Sequence, residues 1–119
     1  GTASVAPDGS IALTTNAGLG EGTPGIHLYD ATGAPLRSLP APDGIPGWAP
    51  FAYDGARLVF GLQRQDEPGT VVLLDADGRE LGRFTPPGDV RVWIPYFAAG
   101  GKELWLFDMG YRIERFALP

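Results

Sequence analysis

A turn-forming residue pair recurs along this chain at a fixed interval, and the recurrence limits the fold more than any other feature. Asp8-Gly9 returns as Asp54-Gly55, 46 residues later, and Gly100-Gly101 lies 46 residues further on. Two other landmarks shift by 45 residues, namely segment 28–33 with 73–78 and segment 48–50 with 93–95. The chain is therefore predicted to form three similar units within one domain, spanning about residues 1–42, 43–88 and 89–119.

Each unit consists of short strands and tight turns. In the middle unit Leu58, Phe60 and Leu62 alternate with other residues, and Asp77-Gly78 separates two apolar runs. Period-two alternation is typical of strands, and Asp-Gly indicates a hairpin because Gly accepts the positive φ of a type I′ turn. The predicted strands are 2–6, 11–15, 26–30 and 35–39, then 47–53, 57–63, 70–75 and 79–85, then 91–97, 103–108 and 111–118.

An all-β fold follows from this pattern. The chain has 18 Gly and 12 Pro among 119 residues, which leaves few windows long enough for a helix. A repeated four-stranded antiparallel unit is the pattern of β-propeller blades. We predict a propeller segment of two complete four-stranded blades and a three-stranded third, with a β-sandwich or an up-and-down barrel as the alternative.

The turn motifs also resemble those of a known family. Pro7-Asp8-Gly9 precedes the second predicted strand, and Asp30-Ala31-Thr32-Gly33 follows the third. This is similar to the Pro-Asp-Gly blade repeat of TolB-like, WD40-like propellers. The second unit keeps Asp54-Gly55 and Asp75-Ala76-Asp77-Gly78 without the proline, and the third keeps Gly100-Gly101. The resemblance covers nearly the whole chain and implies a fold rather than an activity, because these residues are turn formers.

Charge and composition argue against several classes of function. The formal net charge is −5, and the nine cations are scattered among acids, so a basic face for nucleic acid is not expected. The chain has no cysteine, and no apolar run is long enough to span a membrane. Neither nucleic acid nor membrane insertion is therefore expected.

Residues suited to catalysis or metal binding are scarce. The single histidine, His27, lies in a predicted strand, and the three serines form no Gly-x-Ser-x-Gly motif. Asp75-Ala76-Asp77-Gly78 has the opening of a calcium loop, but Pro86 stands at position twelve, where that loop needs a glutamate. A hairpin turn is predicted there instead, and no catalytic residue, metal or cofactor is expected.

Two tryptophans are the candidates for contact with a ligand. Trp48 and Trp93 each follow a connection between units, and the resemblance to propellers implies that they lie near the mouth of a central channel. The charged residues expected around them are Asp43, Asp89, Arg91, Arg64, Asp66 and Glu67. Aromatic rings among mixed charges suit a sugar, a peptide or another small ligand. The alternative is that both indoles pack in the core, where Trp105 is also expected.

The predicted function is a non-enzymatic propeller-type module for binding or scaffolding, acting on proteins or small ligands. One alternative is an accessory propeller domain of a larger enzyme, such as a prolyl-oligopeptidase-type peptidase. Another is a sugar-binding propeller. The resemblance favours a periplasmic or secreted location, because TolB-like propellers are commonly exported in bacteria.

The number of units predicts how the chain associates. Closed propellers have about four to eight blades, so three units form an open arc with an uncovered apolar face at each end. The uncovered side chains are expected to include Val5, Ile11 and Leu13 at one end and Trp105, Phe107, Ile113 and Phe116 at the other. A homodimer closing a six-bladed ring, or further blades of a longer chain, would cover both faces.

Overall fold

The computed structural model describes residues 2–15, 25–41, 49–63, 67–108, 110 and 112–118, which form three antiparallel sheets. The first sheet contains β1 (Ala3–Val5), β2 (Ile11–Thr15), β3 (Gly25–Tyr29) and β4 (Pro35–Pro40). The second contains β5 (Phe51–Tyr53), β6 (Arg57–Leu62), β7 (Thr70–Asp75) and β8 (Glu80–Phe84). The third contains β9 (Ile94–Ala98), β10 (Glu103–Phe107) and β11 (Ile113–Ala117). Strands adjacent in the chain are adjacent in each sheet, and the predicted all-β fold is confirmed.

Helical structure is minimal in the described part of the chain. A short 3-10 turn, Ala99–Gly101, links β9 to β10. No helix within the described ranges has the length and apolar character needed to cross a membrane.

Each predicted strand has a counterpart in the sheets. β2 and β7 have the predicted bounds, whereas β5 and β9 begin later than predicted, at Phe51 and Ile94. Residues 47 and 48, where the earlier start of β5 was predicted, lie outside the described residues. Residues 91–93 leave the strand because the backbone of Trp93 crosses beside Gly61 of β6, where a Cβ would lie 1.8 Å from the Trp93 carbonyl oxygen.

Aspartate and glycine form the hairpin turns as the sequence predicts. Asp54 Oδ1 accepts hydrogen bonds from the amides of Ala56 and Arg57 at 2.8 and 2.6 Å. Gly55 and Gly78 have φ values of 100° and 86°, which confirms the predicted left-handed conformation. A side chain in this conformation is strained, so glycine is the residue that fits.

The first turns of the sheets differ in length, and this changes how side chains correspond between units. Five residues separate the last paired residues of β1 and β2, but four separate those of β5 and β6. Consequently Ala12 pairs with Leu28 on the face directed at the second sheet, whereas Leu58 pairs with Leu74 on the face directed at the first. The 46-residue interval therefore relates the turns but not the directions of the side chains.

Two apolar cores lie on opposite sides of the second sheet. The core between the first and second sheets includes Ala12, Ile26, Leu28, Leu58, Phe60 and Leu74. The core between the second and third sheets includes Ala52, Val59, Val71, Trp93, Leu104 and Leu106. The first strands also contact one another in the order β1, β5, β9. The second sheet is therefore covered on both faces, whereas the first and third sheets are each covered on one.

Candidate functional site

The structure describes only part of the predicted ligand site. Trp48, Asp43, Arg64 and Asp66 lie outside the described residues. Trp93 is fully buried in the core between the second and third sheets, which is the alternative that the sequence left open. Its indole Nε1 has no hydrogen-bond partner within the described residues. Contact between Trp93 and a ligand would require this core to open.

Two of the predicted charged residues lie together on the surface. Asp89 and Arg91 are both exposed and line a shallow depression of about 200 Å³. Asp108 lines its other side, and its Oδ1 accepts hydrogen bonds from the amides of Gly110 and Arg112 at 2.9 and 2.7 Å. The depression is small and its described lining contains no aromatic side chain, so it offers little surface for stacking a sugar or a peptide.

The carboxylates of the candidate calcium motif are part of a turn. Asp75 Oδ1 accepts hydrogen bonds from the amides of Asp77 and Arg79, each at 2.9 Å. The hydrogen bond from the Arg79 amide is the main reason that the pKa of Asp75 lies below its ordinary value of 3.8. This arrangement agrees with the hairpin interpretation. Within the described ranges no three acidic or histidine side chains are grouped as metal ligands.

A groove runs where the first strands of the three sheets meet. Residues 2–5, 50–52 and 94–96 line a cavity of about 430 Å³. Two of its polar side chains are engaged within the protein, since Ser4 Oγ accepts the Tyr53 amide at 3.1 Å and the Thr2 and Thr14 hydroxyls lie 3.0 Å apart. The groove is therefore a joint between sheets with few free polar groups to orient a ligand.

The open face of the third sheet carries a group of aromatic side chains. Its rows follow from the register, in which Trp105 lies between Tyr96 and Arg115, and Phe107 lies between Ile94 and Ile113. We call these six side chains the aromatic face. Tyr96 and Ile113 are 55% and 52% exposed. The four side chains of this face that belong to β9 and β10, together with Ala98, line a cleft of about 530 Å³.

Ring contacts hold the aromatic face in a defined arrangement. The Tyr96 and Phe107 rings meet edge to face with centroids 5.3 Å apart, and Trp105 lies 6.3 Å from Phe107. The Arg115 guanidinium lies 5.6 Å from the centre of the Trp105 ring, within the range of a cation–π contact. The face is thus a preformed apolar surface with one cation at the side.

The open face of the first sheet carries mainly aliphatic side chains. The register places Ile11 between Val5 and Tyr29, and Leu13 between Ala3 and His27. We call these six side chains the aliphatic face. Val5 is 66% exposed. The His27 ring nitrogens contact Ser38 Oγ at 2.7 Å and Thr15 Oγ1 at 3.3 Å, so the histidine takes part in a hydroxyl network on the sheet.

These two faces carry most of the side chains that the sequence predicted to be uncovered. Val5, Ile11 and Leu13 lie on one, and Trp105, Phe107 and Ile113 lie on the other. Phe116 does not, because it points to the second core and meets Phe84 edge to face at 5.1 Å. Tyr96 was not among the side chains predicted to be uncovered. Its alternation with Pro95 and Phe97 in β9 is the sequence signal that could have identified it.

No protein-family model and no curated protein matches this chain. The resemblance to TolB-like blades therefore rests on the turn motifs themselves. A function has to be argued from the geometry of the described residues, and the two open faces are the surfaces that can take a partner of substantial size.

Proposed function

We propose that this chain is a non-enzymatic binding or scaffold module of the propeller type, and that its open sheet faces are its working surfaces. The observation that carries the proposal is the aromatic face. Contiguous apolar surface of this kind on a folded protein marks a site of interaction with another protein. Aromatic residues and arginine are also the residues that contribute most to protein–protein binding.

Along strand β10, residues that pack in the core alternate with residues on the open side, which we assign to binding. Leu104 and Leu106 are buried at 1% and 0% exposure, whereas the alternate residues Trp105 and Phe107 lie on the open side. All four are large and apolar, so solvent contact alone does not explain the choice of Trp105 and Phe107. A second surface packed on that side accounts for it.

The arrangement of the sheets supports a propeller segment over the alternatives. A barrel closes one sheet on itself and a sandwich packs two sheets. Here three separate sheets pack face to face in series, with their first strands in contact. Blades around an axis have this relation, with the first strand of each blade innermost.

Two variants of β10 test the proposed role of the face. Phe107→Lys on the open side is expected to change the free energy of unfolding by less than about 1 kcal/mol, because the side chain is not part of a core. Leu106→Lys is expected to unfold the chain, because it would bury a charge without a partner. Urea unfolding at low protein concentration measures both. Equal destabilisation by the two variants would show that the face is structural and would contradict the proposal.

Dye binding gives an independent measure. Anilinonaphthalene sulfonate is expected to fluoresce on the wild-type chain at sub-micromolar concentration, and less on Phe107→Lys, because it binds exposed apolar surface. Val71→Ala, in the buried core between the second and third sheets, is the control and should leave the dye signal of the folded chain unchanged. A wild-type signal no higher than that of Phe107→Lys would mean that the face is closed.

A further inference from the structure

We propose that the aromatic face of one copy binds the aliphatic face of a second copy, head to tail. This inference rests on the proposed function, because it names the partner of the same surfaces. Its basis is the way in which the three sheets already pack within one chain.

In both internal cores the later sheet contributes aromatic rings, whereas the earlier sheet contributes only aliphatic side chains. In the first core, Ala12 and Ile26 of the first sheet pack with Tyr53 and Phe60 of the second. In the second core, Ala52, Val59 and Val71 of the second sheet pack with Phe97, Leu104 and Phe116 of the third. Facing layers interdigitate when large side chains oppose small ones, and the pairing of rings with aliphatic side chains suits such packing.

Between two copies, an aromatic face meets an aliphatic one only if the two open faces meet each other, and the rings then lie on the earlier sheet of the pair. The aromatic face presents Tyr96, Trp105 and Phe107, whereas the aliphatic face presents Ala3, Val5 and Ile11 along its first two strands. Two aromatic faces together would oppose bulky rings to bulky rings. Two aliphatic faces together would oppose small side chains to small ones and leave gaps. Shape therefore favours the head-to-tail contact over either symmetric one.

Charge is compatible with the same contact. The aliphatic face carries no Asp, Glu, Lys or Arg. The open side of the third sheet carries two charges: Arg115 on the edge strand β11, which stacks on Trp105, and Glu103, in the end row with Ala98 and Ala117. A charge at the rim of an interface keeps its contact with water, so this docking does not bury an unpaired ion.

Area favours two contacts between the same two copies. Three strands of five residues present a flat footprint on the order of 240 Å², whereas a stable interface buries about 800 Å² on each partner. One contact alone is therefore weak. A ring of two copies uses both faces of each copy at once, and its six sheets fall within the range of about four to eight blades. A two-copy ring also leaves no face uncovered, whereas an open chain of copies leaves one uncovered at each end, so we take the occupant to be one second copy.

Single cysteines test this docking, because the chain has no cysteine of its own. Val5→Cys places a thiol on β1 of the aliphatic face, and Tyr96→Cys places one on β9 of the aromatic face. Both positions are more than half exposed, so both variants should fold. An equal mixture, with one variant carrying nitrogen-15, is treated with a short bismaleimide, and mass spectrometry identifies the linked pairs.

The expected result is a product that joins Val5→Cys of one copy to Tyr96→Cys of the other, at least about tenfold over either like pair, a ratio that corresponds to about 1.4 kcal/mol. Each variant alone should give little linked product. Predominance of like pairs would replace the proposal by a symmetric contact, and absence of linked pairs at micromolar concentration would overturn it.

The variant Phe107→Lys provides a second readout that does not depend on crosslinking. A lysine in place of Phe107, on the middle strand of the contact, should weaken dimerisation by on the order of thirtyfold, the effect of losing one strongly contributing interface residue. If the chain is monomeric while the dye and unfolding results hold, this inference fails and the proposed function stands. If Phe107→Lys destabilises the fold like Leu106→Lys, both fail.

Discussion

The second and third sheets have similar sequences and different surroundings. Strand β6 alternates Leu58 and Phe60 with Val59, and all three are buried because a core lies on each face. Strand β10 is also apolar on both faces, but only Leu104 and Leu106 reach a core. The second sheet therefore packs both of its apolar faces within the chain, whereas the third sheet packs only one.

This difference shows which apolar side chains contribute to folding through burial. Burial of apolar area stabilises by about 25 cal/mol per Å², and the second sheet collects that contribution on both faces. The third sheet collects it on one face and leaves Tyr96, Trp105 and Phe107 on the open one. The predictions below act on this contrast, beginning with the change that should have the largest effect.

Gly61→Ala should remove the contact between β6 and the connection that leads into the third sheet. The added Cβ would lie 1.8 Å from the Trp93 carbonyl oxygen, so the backbone would have to move. We expect a loss of roughly 4 kcal/mol or more in the free energy of unfolding. Gly82→Ala on β8 is the control, because its Cβ meets no atom within 4 Å. Similar urea midpoints for the two variants would contradict this account of the joint.

Leu104→Ala and Ile113→Ala compare the two faces of the third sheet. Leu104 is 1% exposed and lies in the second core, so its truncation should cost about 3 kcal/mol. Ile113 is on the aromatic face, and its truncation should cost less than about 1 kcal/mol while the chain is dilute. Urea melts at low concentration measure the two losses. A larger loss for Ile113→Ala would reverse the assignment of covered and open faces.

Gly55→Ala and Gly33→Ala separate strain in the backbone from crowding between units. Both glycines have positive φ, so both substitutions should cost about 1 kcal/mol. A Cβ on Gly55 would also lie 3.2 Å from Asp8 Oδ2 of the first sheet, whereas one on Gly33 meets nothing. Gly55→Ala should therefore be the more damaging by a few tenths of a kcal/mol. Equal losses in thermal melts would show that the contact between Gly55 and Asp8 adds nothing to the cost.

The smallest expected effect is on acid sensitivity. The Thr32 hydroxyl and nearby amides lower the pKa of Asp30 from its ordinary 3.8, and the Ser10 hydroxyl and amide lower the pKa of Asp8. A carboxyl whose pKa falls on folding stabilises the protein above its unfolded pKa, and this stabilisation disappears as the pH falls through the folded pKa.

Acid should therefore loosen the hairpins of the first sheet below about pH 4. Urea melts at pH 7 and pH 3 should show a smaller drop for Asp30→Asn than for the wild type. Asp89→Asn, on the connection to the third sheet, is the control that removes a charge without changing a hairpin. An unchanged pH response in Asp30→Asn would mean that this turn does not respond to protonation.

Local structure was largely predictable because short-range chemistry determines it. Asp-Gly pairs and alternating runs located the eleven strands, and positive φ at Gly55 and Gly78 follows from the turn type. The exact correspondence between units was not predictable. One additional residue in the turn between β1 and β2 reverses the direction of Ala12 relative to Leu58, and the 46-residue interval does not reveal it.

The candidate site was harder to predict, because burial depends on neighbouring sheets rather than on local sequence. Trp93 directly precedes β9, and Trp105 lies within β10. Trp93 nevertheless fills the core beside Gly61, whereas Trp105 lies on the open side. The sequence does identify which ends of the array lack a neighbour, and Val5, Ile11 and Phe107 lie there as predicted. Which of the tryptophans would be covered required the sheets themselves.

Light scattering coupled to size exclusion tests the central claim most directly, namely that the two open faces are surfaces for each other. At micromolar concentration we predict a mass of twice the 12.6 kDa of one chain, falling toward one chain on dilution and for Phe107→Lys. A stable and well-dispersed 12.6 kDa monomer at the same concentration would contradict the claim.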